Sequence, residues 1–258
     1  MFLKKNINLG LARLASHSRA GNGASTLRRR AARLALAGGL GWAALIALPL
    51  QTAQAAPLDT LVKAVKFDDV KEIDQQLAQG LDPNQSDSDG MPLLVLAARE
   101  KSNKVAAALL ANPKTHPGAV DRADQNALML AALNGDEALV QLLLSKGADV
   151  NKTGWTPLHY AAANGHDAIV KLLLARSAQV DALSPNGTTP LMMAARGGHM
   201  STATLLLDSG ANLNAKNQIG LTALDFAKQY KEPDTIKGLT ERLSAGHAAT
   251  MQTPAQAQ

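Results

Sequence analysis

Residues 156–162 read Thr-Pro-Leu-His-Tyr-Ala-Ala, and residues 189–195 read Thr-Pro-Leu-Met-Met-Ala-Ala, 33 positions further on. After another 33 comes Thr222-Ala223-Leu224-Asp225. Each block has a companion behind it: Gly165-His166 with Val170 and Leu172 to Leu174, then Gly198-His199 with Leu205 to Leu207. The units close with Val180-Asp181 and with Gly210-Ala211-Asn212-Leu213-Asn214. Reading backward, Asn126-Ala127-Leu128, Ala131-Ala132, Gly135, Val140, Leu142 to Leu144 and Gly147 to Asn151 form another unit. A more degenerate one starts at Gly90 with Leu94, Ala97, Ala98, Leu109 and Leu110. The earliest runs from Leu61 and Ala64 to Gly80-Leu81-Asp82-Pro83-Asn84, which makes about six units. A fixed period of this length signals stacked repeats.

The residue types say what each unit does. Thr156 and Thr189 can cap a helix through the hydroxyl, and Pro157 and Pro190 then stand at the first helical position, where a missing N–H costs nothing. The Ala pairs let neighbouring helices approach closely, Gly165 and Gly198 suit a left-handed turn, and the Leu triplets supply the apolar face of a second helix. Helices of about ten residues are marginal alone, so each unit depends on its neighbours. Some units depart from the pattern. Asn126 and Thr156 are only 30 apart, which predicts a shortened turn around Lys152 and Thr153. Pro113 to Gly118 contains two prolines and predicts an irregular loop. Asp68 stands where Gly165 stands later, and Asp225 and Lys228 replace His159 and Ala162 in the last unit, as polar end units should.

These motifs resemble the ankyrin repeat family over residues 58–240. The resemblance implies an all-α solenoid of about six helix-turn-helix repeats with short β-turn fingers. It also implies a protein partner, held in a long concave groove between the turn tips and the exposed side of the first helices. By position, the tip residues are Met91, Gln125, Trp155, Thr188 and Leu221, and the first-helix positions are Arg99, Leu133, Ala163, Arg196 and Gln229. The expected partner-binding set is Met91, Arg99, Gln125, Leu133, Trp155, Thr188, Arg196 and Leu221. Trp155 has two readings: an anchor for a partner, or a cover for the shortened turn. His159, His166 and His199 fall where the family uses His for hydrogen bonds to its own backbone and the neighbouring unit.

The 258 residues are 46% apolar but only 3% aromatic, and contain no Cys. Disulfides, thiolate metal sites and cysteine nucleophiles are therefore excluded. The formal charge of +5 suggests a polyanion partner until its distribution is read. Residues 1–55 carry eight basic side chains (Lys4, Lys5, Arg13, Arg19, Arg28, Arg29, Arg30, Arg33) and no acidic one, leaving 18 basic against 21 acidic in the remainder. That remainder is net negative, so no nucleic-acid partner is expected. The basic run, the uncharged stretch Leu34 to Leu48 and the Ala53-Gln54-Ala55 site have the order of an export signal, with cleavage expected after Ala55. An uncleaved anchor over Leu34 to Leu50 and a twin-arginine route through Arg28 to Arg30 are the alternatives to a cleaved secretory signal.

The domain expectation is thus an export signal over 1–55, a repeat domain over 56–240 and a disordered tail over 241–258. The mature protein is expected to be a periplasmic monomer that meets membrane only through its signal. No catalytic, metal or cofactor residue is assigned. Asp87-Ser88-Asp89-Gly90 resembles part of a calcium loop, but the closing Glu is lacking and turn chemistry explains it better. The function expected is non-catalytic protein binding, as an accessory to an envelope enzyme; the alternative is an immunity-type inhibitor of a periplasm-acting toxin. A small-ligand site or enzyme built on the Pro113 to Gly118 loop is the contrasting class.

Overall fold

The computed structural model describes residues 58–251, with side chains to residue 245. Residues 1–55, with the expected signal, anchor and cleavage site, lie outside the described residues. The described residues belong to one compact unit, 53–258. Its helices come in six antiparallel pairs: α1 (Leu58–Lys66) with α2 (Val70–Ala78), α3 (Leu93–Glu100) with α4 (Asn103–Ala111), α5 (Ala127–Asn134) with α6 (Glu137–Ser145), α7 (Pro157–Ala163) with α8 (Asp167–Ala175), α9 (Pro190–Arg196) with α10 (Met200–Asp208), and α11 (Ala223–Tyr230) with α12 (Pro233–Met251). The first helices stack on one another in chain order, and so do the second helices. Two isolated antiparallel bridges, Ser86 to Pro92 and Val120 to Asn126, are the β-turn component. The architecture is the all-α repeat solenoid that the spacing predicts.

Local chemistry starts four of the six first helices. The side chains of Asn126, Thr156, Thr189 and Thr222 accept the backbone N–H three residues on, and Pro157 and Pro190 occupy the first turn. Asp69 and Asp136 cap α2 and α6 in the same way. Ala pairs 97–98, 131–132, 161–162 and 194–195 are all buried, which is what allows the first helices their close stacking. In each Leu triplet only the middle residue is fully enclosed: Leu143, Leu173 and Leu206 have no exposure, while their neighbours are half-buried.

The turn between paired helices is left-handed in all six units, at Asp68, Lys101, Gly135, Gly165, Gly198 and Lys231. Glycine is demanded at three of these by the next repeat as well as by the backbone. A Cβ on Gly135 would lie 2.7 Å from the ring of His166, and one on Gly165 would lie 2.5 Å from the ring of His199. Glu232 occupies the same place against Gly198. The Gly-His pair of the sequence is therefore an interaction between repeats, in which each histidine covers the glycine of the unit before.

The tail expectation needs correction. The chain is helical to Met251, so disorder does not begin at residue 241. Thr240 and Ser244 hydroxyls donate back to the carbonyls of Ile236 and Thr240, and Arg242 Nη2 reaches Asp208 Oδ1 at 2.7 Å. The segment lacks an apolar period, yet its Ala content favours continuing a helix already packed through the buried Leu239.

The Pro113 to Gly118 loop is a pair of consecutive turns. The Thr115 hydroxyl donates to the Leu109 carbonyl, and the Asn84 amide bridges the loop by donating to Lys114 O at 2.8 Å and accepting from His116 N–H at 2.8 Å. Asn151 repeats this device on Ser177 and Gln179. No helix among the described residues is long and apolar enough to cross a membrane.

Candidate partner-binding surface

Four of the turns that lead into first helices share one construction. The N–H of Asp87, Asp121, Ser184 and Asn217 donates to the carbonyl four residues on, at 2.9–3.0 Å. The side-chain oxygen of the same residue accepts the N–H of that fourth residue, which is Met91, Gln125, Thr188 or Leu221. Short polar side chains occupy the position because only they reach their own backbone in this way. Asp87 is thereby a turn residue, its Oδ1 engaged by the amides of Asp89 and Met91.

The third turn is shorter and built otherwise. Between Asn151 and Trp155 neither closing bond is found. Lys152 instead pairs with Asp124 of the preceding turn, and the ring of Pro185 lies about 3.8 Å from where a Cβ on Gly154 would stand. Trp155 sits edge-on to His159, with ring centroids 5.2 Å apart, and to Tyr160 at 6.4 Å. It is half-buried at the end of the shortened turn.

The expected site residues fall into two rows. Met91, Gln125 and Leu221 are half-buried and end their turns. Gln125 also donates to the Tyr160 hydroxyl at 2.7 Å, which joins it to Trp155 through Tyr160. Arg99, Leu133 and Arg196 lie near the ends of α3, α5 and α9. Arg99 is exposed beside Glu100, at 3.3 Å. Leu133 is half-buried against the core, and its carbonyl accepts from Asn164 and His166 of the next unit. Arg196 lies 5.0 Å from the centroid of the Tyr230 ring, which is stacked on Phe226.

Thr188 has to be withdrawn from the set. It is 2% exposed, and its backbone carbonyl takes the His159 Nε2–H at 2.9 Å. Thr188 is thus interior, whereas Met91, Gln125, Trp155 and Leu221 at the corresponding positions are half-buried.

Several surface residues escaped the sequence reading. Tyr160, Met193 and Phe226 recur at intervals of 33 on the first helices and stay half-buried, a row visible in the spacing once the Ala that follows each is assigned. Val120, Leu183, Ile219 and Tyr230 are exposed apolar side chains. Nothing in their local sequence marks them as exposed, since that depends on the neighbouring turn.

Three groups titrate away from their ordinary values, and each has a structural cause. Burial holds His159 down to about 4. Its Nδ1 accepts from the Thr156 N–H at 3.2 Å and lies 2.9 Å from the Thr156 hydroxyl. Burial raises the Tyr160 phenol; the Gln125 hydrogen bond opposes that rise and the charges of Asp121 and Asp124 add to it. Bonds from the Thr222 N–H and hydroxyl lower Asp225, which completes a capping box. Among the described residues no group of three or more His, Asp or Glu could hold a metal ion.

A family model described as Ankyrin repeats (3 copies) matches residues 61–153, 113–184 and 170–250. No curated protein matches the chain.

Proposed function

Because the chain belongs to the ankyrin-repeat family, whose members are generally protein-interaction modules, we propose that it is a non-catalytic binding protein acting as an accessory to an envelope enzyme. The observation that carries this reading is the two-row surface. Met91, Gln125, Trp155 and Leu221 end the turns, and Arg99, Leu133 and Arg196 line the helix ends beside them. Large, partly exposed side chains set on a rigid scaffold are what a protein interface requires, since little side-chain entropy remains to be lost on binding.

Export to the periplasm is part of the proposal and rests on the basic run, apolar stretch and Ala53-Gln54-Ala55 site of the leader. With that leader removed, the net negative remainder disfavours nucleic acid. Mass spectrometry of the secreted form is expected to find an N-terminus at Ala56; an intact leader on a membrane-bound protein would replace the soluble reading with an anchor.

Affinity capture from envelope extracts tests the binding role. The wild-type chain is compared with Arg99→Glu plus Leu221→Ser, both at positions where the fold asks little of the side chain. A partner recovered by the wild type and lost from the variant is expected. Equal recovery would remove these residues from the interface, and recovery of a toxin instead of an enzyme would assign the inhibitor role.

A further inference from the structure

The third turn lacks three residues that its neighbours have, a gap in the repeat pattern, and the residues on either side of it are unusual. Relative to the fourth unit, three residues are absent between Gly147 and Gly154, a stretch that includes the counterpart of Leu183. Val120 directly precedes the Asp121 that opens the second turn, and Leu183 directly precedes the Ser184 that opens the fourth. These equivalent positions hold apolar side chains only on the two turns that flank the gap; on the first and fifth turns they are Ser86 and Lys216. Val120 is 38% and Leu183 61% exposed. At the base stand Trp155 and Tyr160.

Charge at the gap is negative. Asp121 and Asp124 are both near enough to bear on the Tyr160 hydroxyl. Lys152 answers one of them, yet the Asp124 side chain remains 67% exposed while that of Lys152 is only 18% exposed. The other nearby cation, Arg122, lies over Gly90 on the far side of the second turn.

We propose that this gap receives an extended segment of a protein partner, with an apolar side chain between Val120 and Leu183 and an adjacent Lys or Arg against Asp124 and the Trp155–Tyr160 rings. The proposal rests on the protein-binding reading and narrows it to one place and one chemistry. An apolar side chain there regains the burial that the absent residues of the third turn would have provided. A cation finds an exposed carboxylate and aromatic rings together, which is more than a solvated ion pair offers. Acidic peptides and polyphosphates are repelled.

The test uses the full chain against a phage library of random heptapeptides, with enriched sequences synthesised and their affinity measured by fluorescence anisotropy. Enrichment of Lys or Arg next to Leu, Ile, Val or Met is expected. Asp124→Asn keeps a residue that tolerates the left-handed backbone at that position (φ 61°); it should weaken binding about tenfold and flatten its salt dependence. Val120→Ser plus Leu183→Ser should weaken binding similarly, and inserting Ala-Leu-Ser after Asn151, which restores the turn length, should abolish it. Thermal melts of the three variants check that each remains folded. Absence of basic-apolar enrichment, or affinities unchanged in all three variants, overturns the proposal. Peptides lost only with Arg99→Glu plus Leu221→Ser would overturn the gap and leave the wider binding role standing, whereas an empty affinity capture from the envelope removes that role itself. A wild-type dimer in light scattering that the insertion makes monomeric would give the gap to a second copy and overturn the partner assignment.

Discussion

His159 is held at both ring nitrogens and buried completely, so its protonation state is tied to the integrity of the fold. Nε2 donates to the Thr188 carbonyl, which leaves Nδ1 as an acceptor for the Thr156 N–H. A second proton on the ring would face a donor. The folded pKa of about 4 lies below the unfolded value near 6.5. The unfolded chain therefore binds the proton more readily, and stability is lost as pH falls from about 6.5 toward 4, by on the order of 3 kcal/mol. The expected outcome is that Tm falls over that window and that His159→Gln flattens the fall, at a cost of about 1–3 kcal/mol at neutral pH. A wild-type melt that ignores this pH range would show that the ring is more accessible than its burial implies. Gly165 makes a second residue-scale case. Gly165→Ala meets both a left-handed backbone and the His199 ring, and should cost at least about 1–2 kcal/mol by denaturant unfolding. Combining it with His199→Ala should recover part of the loss. Strict additivity of the two changes would mean that the pair does not touch.

At the scale of elements, the helices were legible because their caps, prolines and Ala pairs are local signals that survive in any context. Asn126, Thr156, Thr189 and Thr222 all cap as their positions suggest. The binding surface was less legible. Thr188 reads as a tip residue by its position in the repeat, yet it is buried, and the His159 ring of the preceding unit reaches its carbonyl. Leu183 looks like any apolar residue in a turn, and its local sequence does not mark it as 61% exposed. The end of α12 failed for a different reason: apolar period was the wrong signal for a helix that simply extends one already formed. Truncation after Thr240 removes the exposed Arg242–Asp208 pair, whose loss should cost no more than about 1 kcal/mol. Far-UV circular dichroism should nevertheless lose helical signal in proportion to the removed turns. A large drop in Tm would instead assign the extension a packing role.

Across the whole described stack, stability is a sum of units and nearest-neighbour interfaces, and position along the stack decides what a substitution does. Leu173 in α8 is fully buried, and α8 packs against both α6 and α10. Ile73 in α2 is equally buried, but α2 has only α4 as a neighbouring second helix. Either change to Ala removes similar apolar volume, a local cost of roughly 2–5 kcal/mol. Ile73→Ala loosens an end unit that can unfold while the rest stays stacked. Leu173→Ala weakens an internal unit whose loss would break two interfaces at once, so the chain must either keep it or lose the stack. Hydrogen exchange read by peptide should therefore show protection lost mainly over residues 58–80 for Ile73→Ala. For Leu173→Ala, protection should fall across the units on both sides of α8, with the main melting transition moved down. Identical, uniform loss in both variants would mean that the six units fold as one indivisible body, and the nearest-neighbour account of this stack would have to be abandoned.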